Sequence, residues 1–395
     1  MTLGTRDRSA RAKEFLEANR LFKSAVRQKE WRRIALSGSD LSRLSPQAFV
    51  VLAMVAYMFG LSPWLAEYMR SGAVPPALEW NLTHYHVDYF QFGFLRRALV
   101  GTILLPIFSV FPDGGLAEYA ILLGADAAIA LVLAVLVARI FLRPHITNPN
   151  KRLIALICLI APVGFVQLGY DAGRLDHVNF LLFVAAMRLV VLGQVLGAAI
   201  LSVAMLLVHE AALFYALPVV VAFAHASTKS VASVLVIGVP AVLCASALAL
   251  WGTAGADLAP ALPENANIAA GVWSRNLLEP ARGFGPLHYI ITLYLTFAAL
   301  VFLRRHYKAN AQAPDLLFAA PFAVLALFAL GVDYGRWTHV LFVSVLAVIA
   351  CAPHLGRKAE VELTPVSIKL FLLPWMLPLG PVGIALLYPF LPFIS

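Results

Sequence analysis

An all-α fold, a polytopic transmembrane helical bundle, is what this sequence predicts, and three observations predict it. Hydrophobic residues make up 61% of the 395 and charged ones only 13%, with a mean hydropathy of +0.82, against roughly 45–50% apolar residues in soluble domains. The apolar stretches run to helix length, near the ~20 residues that cross about 30 Å of hydrocarbon, and do not alternate like the ten-residue strands of an outer-membrane barrel. The basic residues gather in the segments between those stretches, where orientation in a bilayer puts them. The net charge of +9 therefore speaks for membrane orientation and against a nucleic-acid partner. Cys158, Cys244 and Cys351 fall in apolar runs without pairing or ligand spacing, so they read as small core residues.

From the N-terminus, residues 1–45 hold eleven Lys/Arg against five Asp/Glu, and Phe15, Ala18, Leu21, Phe22, Ala25 and Ile34 recur near a helical period. This predicts a basic amphipathic tail on the anionic cytoplasmic leaflet, separate from a bundle over 46–395. No apolar core of a cleaved signal follows within the first thirty residues. Spans are predicted near 47–66, 116–142, 152–169, 177–193, 195–209, 211–226, 230–252, 286–303, 314–331, 337–353 and 369–393, about eleven in all. Outer loops cover 67–115 and 253–284. Residues 93–111 open on Arg96 and Arg97, contain Pro106 and run into Pro112-Asp113-Gly114-Gly115, so they predict a surface-lying helix after the first outer loop and not a span.

That threading places 23 of the 30 Lys/Arg, all eight lysines among them, on the cytoplasmic side with the N-terminus, as the positive-inside rule requires. The outer side keeps Arg70, Arg96, Arg97, Arg174, Arg275, Arg282 and Arg336. A purely arginine set favours recognition of anions, because the planar guanidinium fork grips phosphate or carboxylate with two parallel bonds. The runs 195–209 and 211–226 are only about 15 residues each, short for a span. They predict a hairpin turning at His209-Glu210 below the outer surface, where short helices are tolerated because they line a cavity; the alternative, a single tilted span of about 30 residues, would put Arg304, Arg305 and Lys308 outside and fits the charge distribution less well.

Five charged clusters share that outer side. The first loop carries His84-Tyr85-His86-Val87-Asp88-Tyr89-Phe90, followed by Arg96 and Arg97. Asp88 there reads either as an acid with an apolar floor that raises its basicity or as the N-cap of the following helix. Asp171, Arg174 and Asp176, with His177 beside them, stand at a corner turned by Gly173, able to hold a ligand or to clasp one another. His209 and Glu210 interrupt an apolar run, where an unpaired carboxylate is costly and needs a cation, a proton or water. Neighbouring His and Glu do not share a helix face, so they form no two-ligand metal motif. Asp333 and Arg336, with Trp337, echo the Asp-x-Gly-Arg of Asp171 to Arg174. Arg275 beside Trp273 adds a cation and a stacking surface in the second long loop.

This set resembles the C-type integral-membrane glycosyltransferases and the related exopolysaccharide and O-antigen polymerases. Asp88 matches their loop acid, Gly93 to Phe111 their surface helix, and Leu206 to Pro218 (LLVHEAALFYALP) the apolar His-containing helix of the polymerases. The resemblance implies sugar transfer, inverting in outcome, on the periplasmic side of a bacterial inner membrane. The donor would be polyprenyl-phosphate-linked and the acceptor a saccharide or a lipid-linked sugar, with membrane lipids and polysaccharide-assembly proteins as partners. Asp88 is then the general base, and Glu210 with His209 positions the acceptor or replaces that base. Arg174, Arg336 and Arg275 neutralise the leaving phosphate; Arg96, Arg97, Asp171, Asp176, Asp333, Trp337 and His86 line the substrate. No adjacent pair of acids appears in the first loop, unlike several such transferases, so the resemblance leaves both a divalent cation and metal-free transfer open. The competing classes are a transporter or lipid-linked saccharide flippase and a non-catalytic subunit of a polysaccharide synthase.

Overall fold

The computed structural model describes residues 44–108, 110, 116–142, 154–155, 157–159, 162–253, 286–330, 333–359 and 361. The predicted N-terminal tail, most of the 253–284 loop with Trp273, Arg275 and Arg282, and the run 369–393 lie outside the described residues. Among the described residues all regular structure is helical. Helix α1 (Pro46–Ser71) leads into α2 (Pro76–Thr83), a 3-10 turn (His84–His86), α3 (Tyr89–Phe92) and α4 (Ala98–Phe108). After α5 (Leu116–Phe141) come a wide turn (Pro162–Val166), α6 (Gln167–Tyr170), α7 (Leu175–Val191), α8 (Val195–Val208), α9 (Ala212–Tyr215), α10 (Leu217–Thr228) and α11 (Val231–Trp251). The chain continues through α12 (Pro286–Ala309), α13 (Leu316–Ala319), a 3-10 turn (Ala320–Val324), α14 (Leu325–Leu330), α15 (Tyr334–Cys351) and a final 3-10 turn (Ala352–Leu355).

Four helical stretches, Pro46–Ser71, Glu118–Phe141, Val231–Trp251 and Gly335–Leu355, are long and apolar enough to cross a membrane. Their outward faces are apolar, with Val51, Val55, Leu235, Val239, Leu243 and Leu250 among the exposed residues, a surface suited to lipid. Helix α4 has eleven residues, about 16 Å at 1.5 Å per residue, shorter than the four long helices. It packs Ala98 and Gly101 against the His84–His86 turn and leaves Ile103, Leu105 and Ile107 exposed.

Side-chain contacts fix which helix ends lie together. At one end Arg97 meets Glu210, Arg336 meets Asp176, and the Arg96 N–H donates to the Gly252 carbonyl at 3.1 Å. The start of α4, the α6–α7 corner, the α8–α9 break, the end of α11 and the start of α15 therefore share that end. At the other end Arg357, past α15, bonds Asp315 at 2.8 Å, and Asn310 exchanges hydrogen bonds with Lys358 at 3.0 and 2.7 Å. Helix α15, about 27 Å long by its 18 residues, connects the two ends. The run 195–226 is a hairpin and not one tilted helix: His209 leaves α8 in an extended conformation (φ −158°, ψ 119°), and both arms pack on α7 and α11.

Close helix approach explains two glycines. A Cβ on Gly60 of α1 would overlap the Val166 carbonyl oxygen, and one on Gly169 of α6 would overlap that of Tyr57. Around this contact Trp64 donates to the Tyr170 carbonyl at 2.7 Å. Deeper in the bundle Asp126 of α5 accepts from Tyr57 of α1 at 2.8 Å and pairs with His177 of α7 at 2.6 Å, so one buried carboxylate ties three helices. Between α5, Cys158 with residues 163–168, α7 and α15 lies an apolar pocket of about 120 Å³ lined by Leu136, Phe165, Phe180, Phe183, His339 and Phe342 among others.

Two outcomes test this packing. A cysteine at exposed Gln91 should react with an impermeant thiol reagent from one side of the membrane, and cysteines at exposed Ser227 and Gln312 only from the other; labelling of all three from one side contradicts the helix-end assignment. Gly60→Val and Gly169→Val should each destabilise the folded protein by about 1–3 kcal/mol or more through overpacking, read as a lowered thermal midpoint in detergent.

Candidate functional site

The charged end of the bundle is built from four short segments. Gly173, at φ +82°, turns the chain sharply between α6 and α7, which brings Asp171, Arg174 and Asp176 to one corner. The break after α8 presents His209 and Glu210, and the first turn of α15 presents Asp333 and Arg336. Arg97 enters from the loop before α4 with φ +68°, a left-handed backbone uncommon outside glycine and often found at functional sites. That conformation aims its guanidinium at the α8–α9 break.

Three guanidiniums and four carboxylates interlock there. Arg97 grips Glu210 with two bonds, Nε to Oε2 at 3.1 Å and Nη2 to Oε1 at 2.5 Å. Arg336 stands between Asp176 (Nε to Oδ2, 3.1 Å) and Asp333 (Nη1 to Oδ2, 3.1 Å), with Trp337 under its guanidinium at 4.0 Å. Arg174 reaches the same Asp333 oxygen at 3.4 Å, lies 3.8 Å from Asp171 and stacks over Trp80 at 4.6 Å. The two Asp-x-Gly-Arg echoes thus meet on one carboxylate oxygen. Gln167 donates to Asp171 at 2.8 Å and Tyr215 to Asp176 at 3.3 Å. Arg174 Nε and Nη1 and Arg336 Nε make ionic contacts but no aligned hydrogen bond, so donor capacity remains at the arginines.

The histidines have defined roles. The ring of His84 lies with Nδ1 3.0 Å from the Trp80 carbonyl and Nε2 3.2 Å from Arg97 Nη1. The carbonyl can only accept, so Nδ1 carries the proton and Nε2 accepts from Arg97. Burial, reinforced by Arg97, holds the His84 pKa well below its ordinary 6.5. At Glu210 burial pushes the pKa upward, but the Arg97 guanidinium outweighs it and holds the carboxyl well below 4.5, with His209 and Arg96 adding to the effect. Burial raises the Asp171 carboxyl, Arg174 opposing and Asp333 reinforcing.

The sequence-predicted residues divide. Arg97, Asp171, Arg174, Asp176, His209, Glu210, Asp333, Arg336 and Trp337 are brought together, and Arg96 is buried next to Arg97. Asp88 is 2% exposed and its Oδ1 accepts the Phe90 and Gln91 N–H groups at 2.8 Å each, the geometry of an N-cap on α3. His86 faces Glu118 at 3.4 Å and stacks on Phe108. Several participants went unread in the sequence: Trp80, Gln167, Asn179, Tyr215, Tyr57 and Asp126. Only Asp126 left a signal, as an acid in the middle of an apolar helix; Trp80 and Gln167 acquire meaning only from what folds against them. Among the described residues no group of three or more His, Cys, Asp or Glu side chains is arranged to hold a metal ion.

The fold and this site define a helical membrane protein with a charged cluster at one end of its bundle. No protein-family model matches the sequence, and no curated protein or solved structure matches it either.

The site's acid sensitivity has a definite sign. His84 folds neutral, with a pKa below its unfolded value, so stability falls as pH drops through about 6.5 and the unfolded chain takes up the proton. Glu210, with a depressed pKa, contributes stability above about 4.5 that is lost as pH falls further toward its folded value. Thermal midpoints between pH 7.5 and 4 should show both losses, with His84→Gln flattening the upper one and Glu210→Gln the lower. Arg97→Met alone should destabilise more than Arg97→Met combined with Glu210→Gln, because the single change leaves a carboxylate without its cation.

Proposed function

We propose that the protein is an integral-membrane glycosyltransferase or polysaccharide polymerase that moves a sugar from a polyprenyl-phosphate-linked donor to a saccharide or lipid-linked acceptor. In this reading about eleven spans cross a bacterial inner membrane, the N-terminus is cytoplasmic and the charged end is periplasmic. One observation carries it: the charged end adjoins the apolar pocket, since Arg336 and Asp176 each lie about one helical turn along the chain from a residue of the pocket wall, His339 and Phe180. A headgroup site over an apolar slot suits a ligand that is charged at one end and hydrocarbon at the other.

In the reaction, the acceptor hydroxyl oxygen attacks the anomeric carbon, the bond from that carbon to the phosphate oxygen breaks, and the hydroxyl proton passes to a carboxylate. Arg174 and Arg336 stabilise the phosphate that leaves, a contribution often the largest in transfer chemistry. Glu210 is the better-placed base, because its side chain keeps 28% exposure at the rim while Asp88 is buried as a cap. Its basicity is released when the incoming phosphate draws Arg97 from it. Trp337 and Asp333 hold Arg336 in place. A flippase or transporter is the second reading, favoured by Asp126 and His177, a buried ionisable pair in the interior of the bundle.

Glu210→Gln should slow transfer by roughly 10² to 10⁴ fold with donor binding retained. Asp88→Asn should run near the wild-type rate, since the asparagine oxygen still caps α3. The opposite result in an assay with lipid-linked donor moves the base to Asp88. If neither substitution changes the rate, the enzyme reading falls and a flippase or a non-catalytic subunit takes its place.

A further inference from the structure

The Nδ1 of His209 accepts the Ala211 backbone N–H at 3.1 Å. A backbone N–H can only donate, so that nitrogen carries no proton, and the 3.9 Å approach of the same nitrogen to Glu210 is not a hydrogen-bonded pair. The neutral ring must then hold its proton on Nε2. Yet Nε2 lies 3.5 Å from Arg336 Nη2, and a guanidinium nitrogen is also a donor. Two N–H groups face each other with no acceptor between them, in side chains only 7% and 8% exposed. Burial lowers the His209 pKa to about 4, against the opposing Asp176, so the ring stays a neutral donor through the physiological range.

The other polar atoms of the pair have ionic or hydrogen-bonded neighbours. Arg336 uses Nε on Asp176 and Nη1 on Asp333, and the His209 backbone carbonyl accepts from Asn179 at 3.4 Å. The missing component is a single oxygen that accepts from both nitrogens. An oxygen with negative charge fits best, because one of its two donors is a full cation and bonds to charged partners are the stronger kind. Separation of the donors by 3.5 Å permits one atom to lie about 2.8 Å from each.

We propose that His209 Nε2–H and Arg336 Nη2–H together bind one phosphate oxygen of the lipid-linked substrate. His209 is thereby a binding residue for the anion and not a base or an acceptor-positioning group. This rests on the proposed lipid-phosphate substrate, and the two stand or fall on different measurements.

The test compares binding of polyprenyl phosphate and of the corresponding polyprenol to the full-length protein in nanodiscs, followed by intrinsic tryptophan fluorescence. The wild type should prefer the phosphate. His209→Met, which removes the N–H, should weaken phosphate binding by about 10- to 100-fold and leave polyprenol binding unchanged, whereas His209→Gln, which restores an N–H near the Nε2 position, should recover most of the preference. A general structural role for His209 would lower both affinities together, and that outcome overturns the proposal. Competition by inorganic pyrophosphate indicates recognition of the oxyanion alone; displacement only by the lipid indicates recognition of a lipid-borne headgroup, and either supports the bridge. If the wild type prefers the phosphate and His209→Met keeps the preference, this inference fails while the function proposed above survives. If the wild type shows no preference, the lipid-phosphate reading itself fails. Should His209→Met not fold, NMR of wild type labelled with [15N]histidine decides: polyprenyl phosphate should shift a His209 Nε2–H resonance, and an unmoved resonance overturns the bridge.

Discussion

Charge compensation inside an apolar bundle is the constraint on which this architecture depends. A guanidinium withdrawn from water is tolerated only where carboxylates and hydrogen bonds replace its hydration. Arg336 is 7% exposed and is compensated by Asp176 from α7 and Asp333 from the turn before α15. Arg97 is compensated by Glu210 in the same way, between the first loop and the α8–α9 break. Remove these pairings and the helix ends lose the contacts that set them side by side, since the apolar faces alone have little preference among lipid and one another.

Backbone devices make this convergence possible. Gly173 supplies a positive φ at the α6–α7 corner, and Arg97 adopts one despite its Cβ. Gly60 and Gly169 let α1 and α6 approach until carbonyls fill the space that a methyl would take. The extended residue at His209 divides what would be a single helix into two arms, leaving both ring nitrogens of that histidine defined. Beneath the cluster, Asp126 pairs with His177 only one residue from Asp176, so the polar system at the bundle end continues inward to Tyr57 of α1.

Much of the fold was legible because it rests on periodicity and length. The described helices fall close to the predicted apolar runs from 46 to 353, and four of them are long and apolar enough to cross a membrane. The site was legible where a charge interrupts an apolar run: Glu210, Asp171, Arg174, Asp333 and Arg336 stood out for that reason. Asp88 stood out equally, surrounded by His84, His86 and aromatic residues, but local sequence does not distinguish an exposed acid from one whose oxygen is consumed by two backbone N–H groups. The N-cap alternative describes the geometry it has.

By itself the sequence determined that the chain is a helical membrane protein and which polar residues need partners, because hydropathy and the cost of isolated charge are properties of residues and their neighbours in the chain. Only the tertiary structure decided who those partners are. The joining of Arg97 to Glu210 spans 113 positions, and the union of Arg174 and Arg336 on one Asp333 oxygen depends on where α7 and α15 begin relative to each other. The protonation pattern of His209 was settled in the same way, by a backbone N–H two residues away that points at its ring only because the helix breaks there. Such pairings follow from long-range packing, which leaves no periodic trace in the sequence.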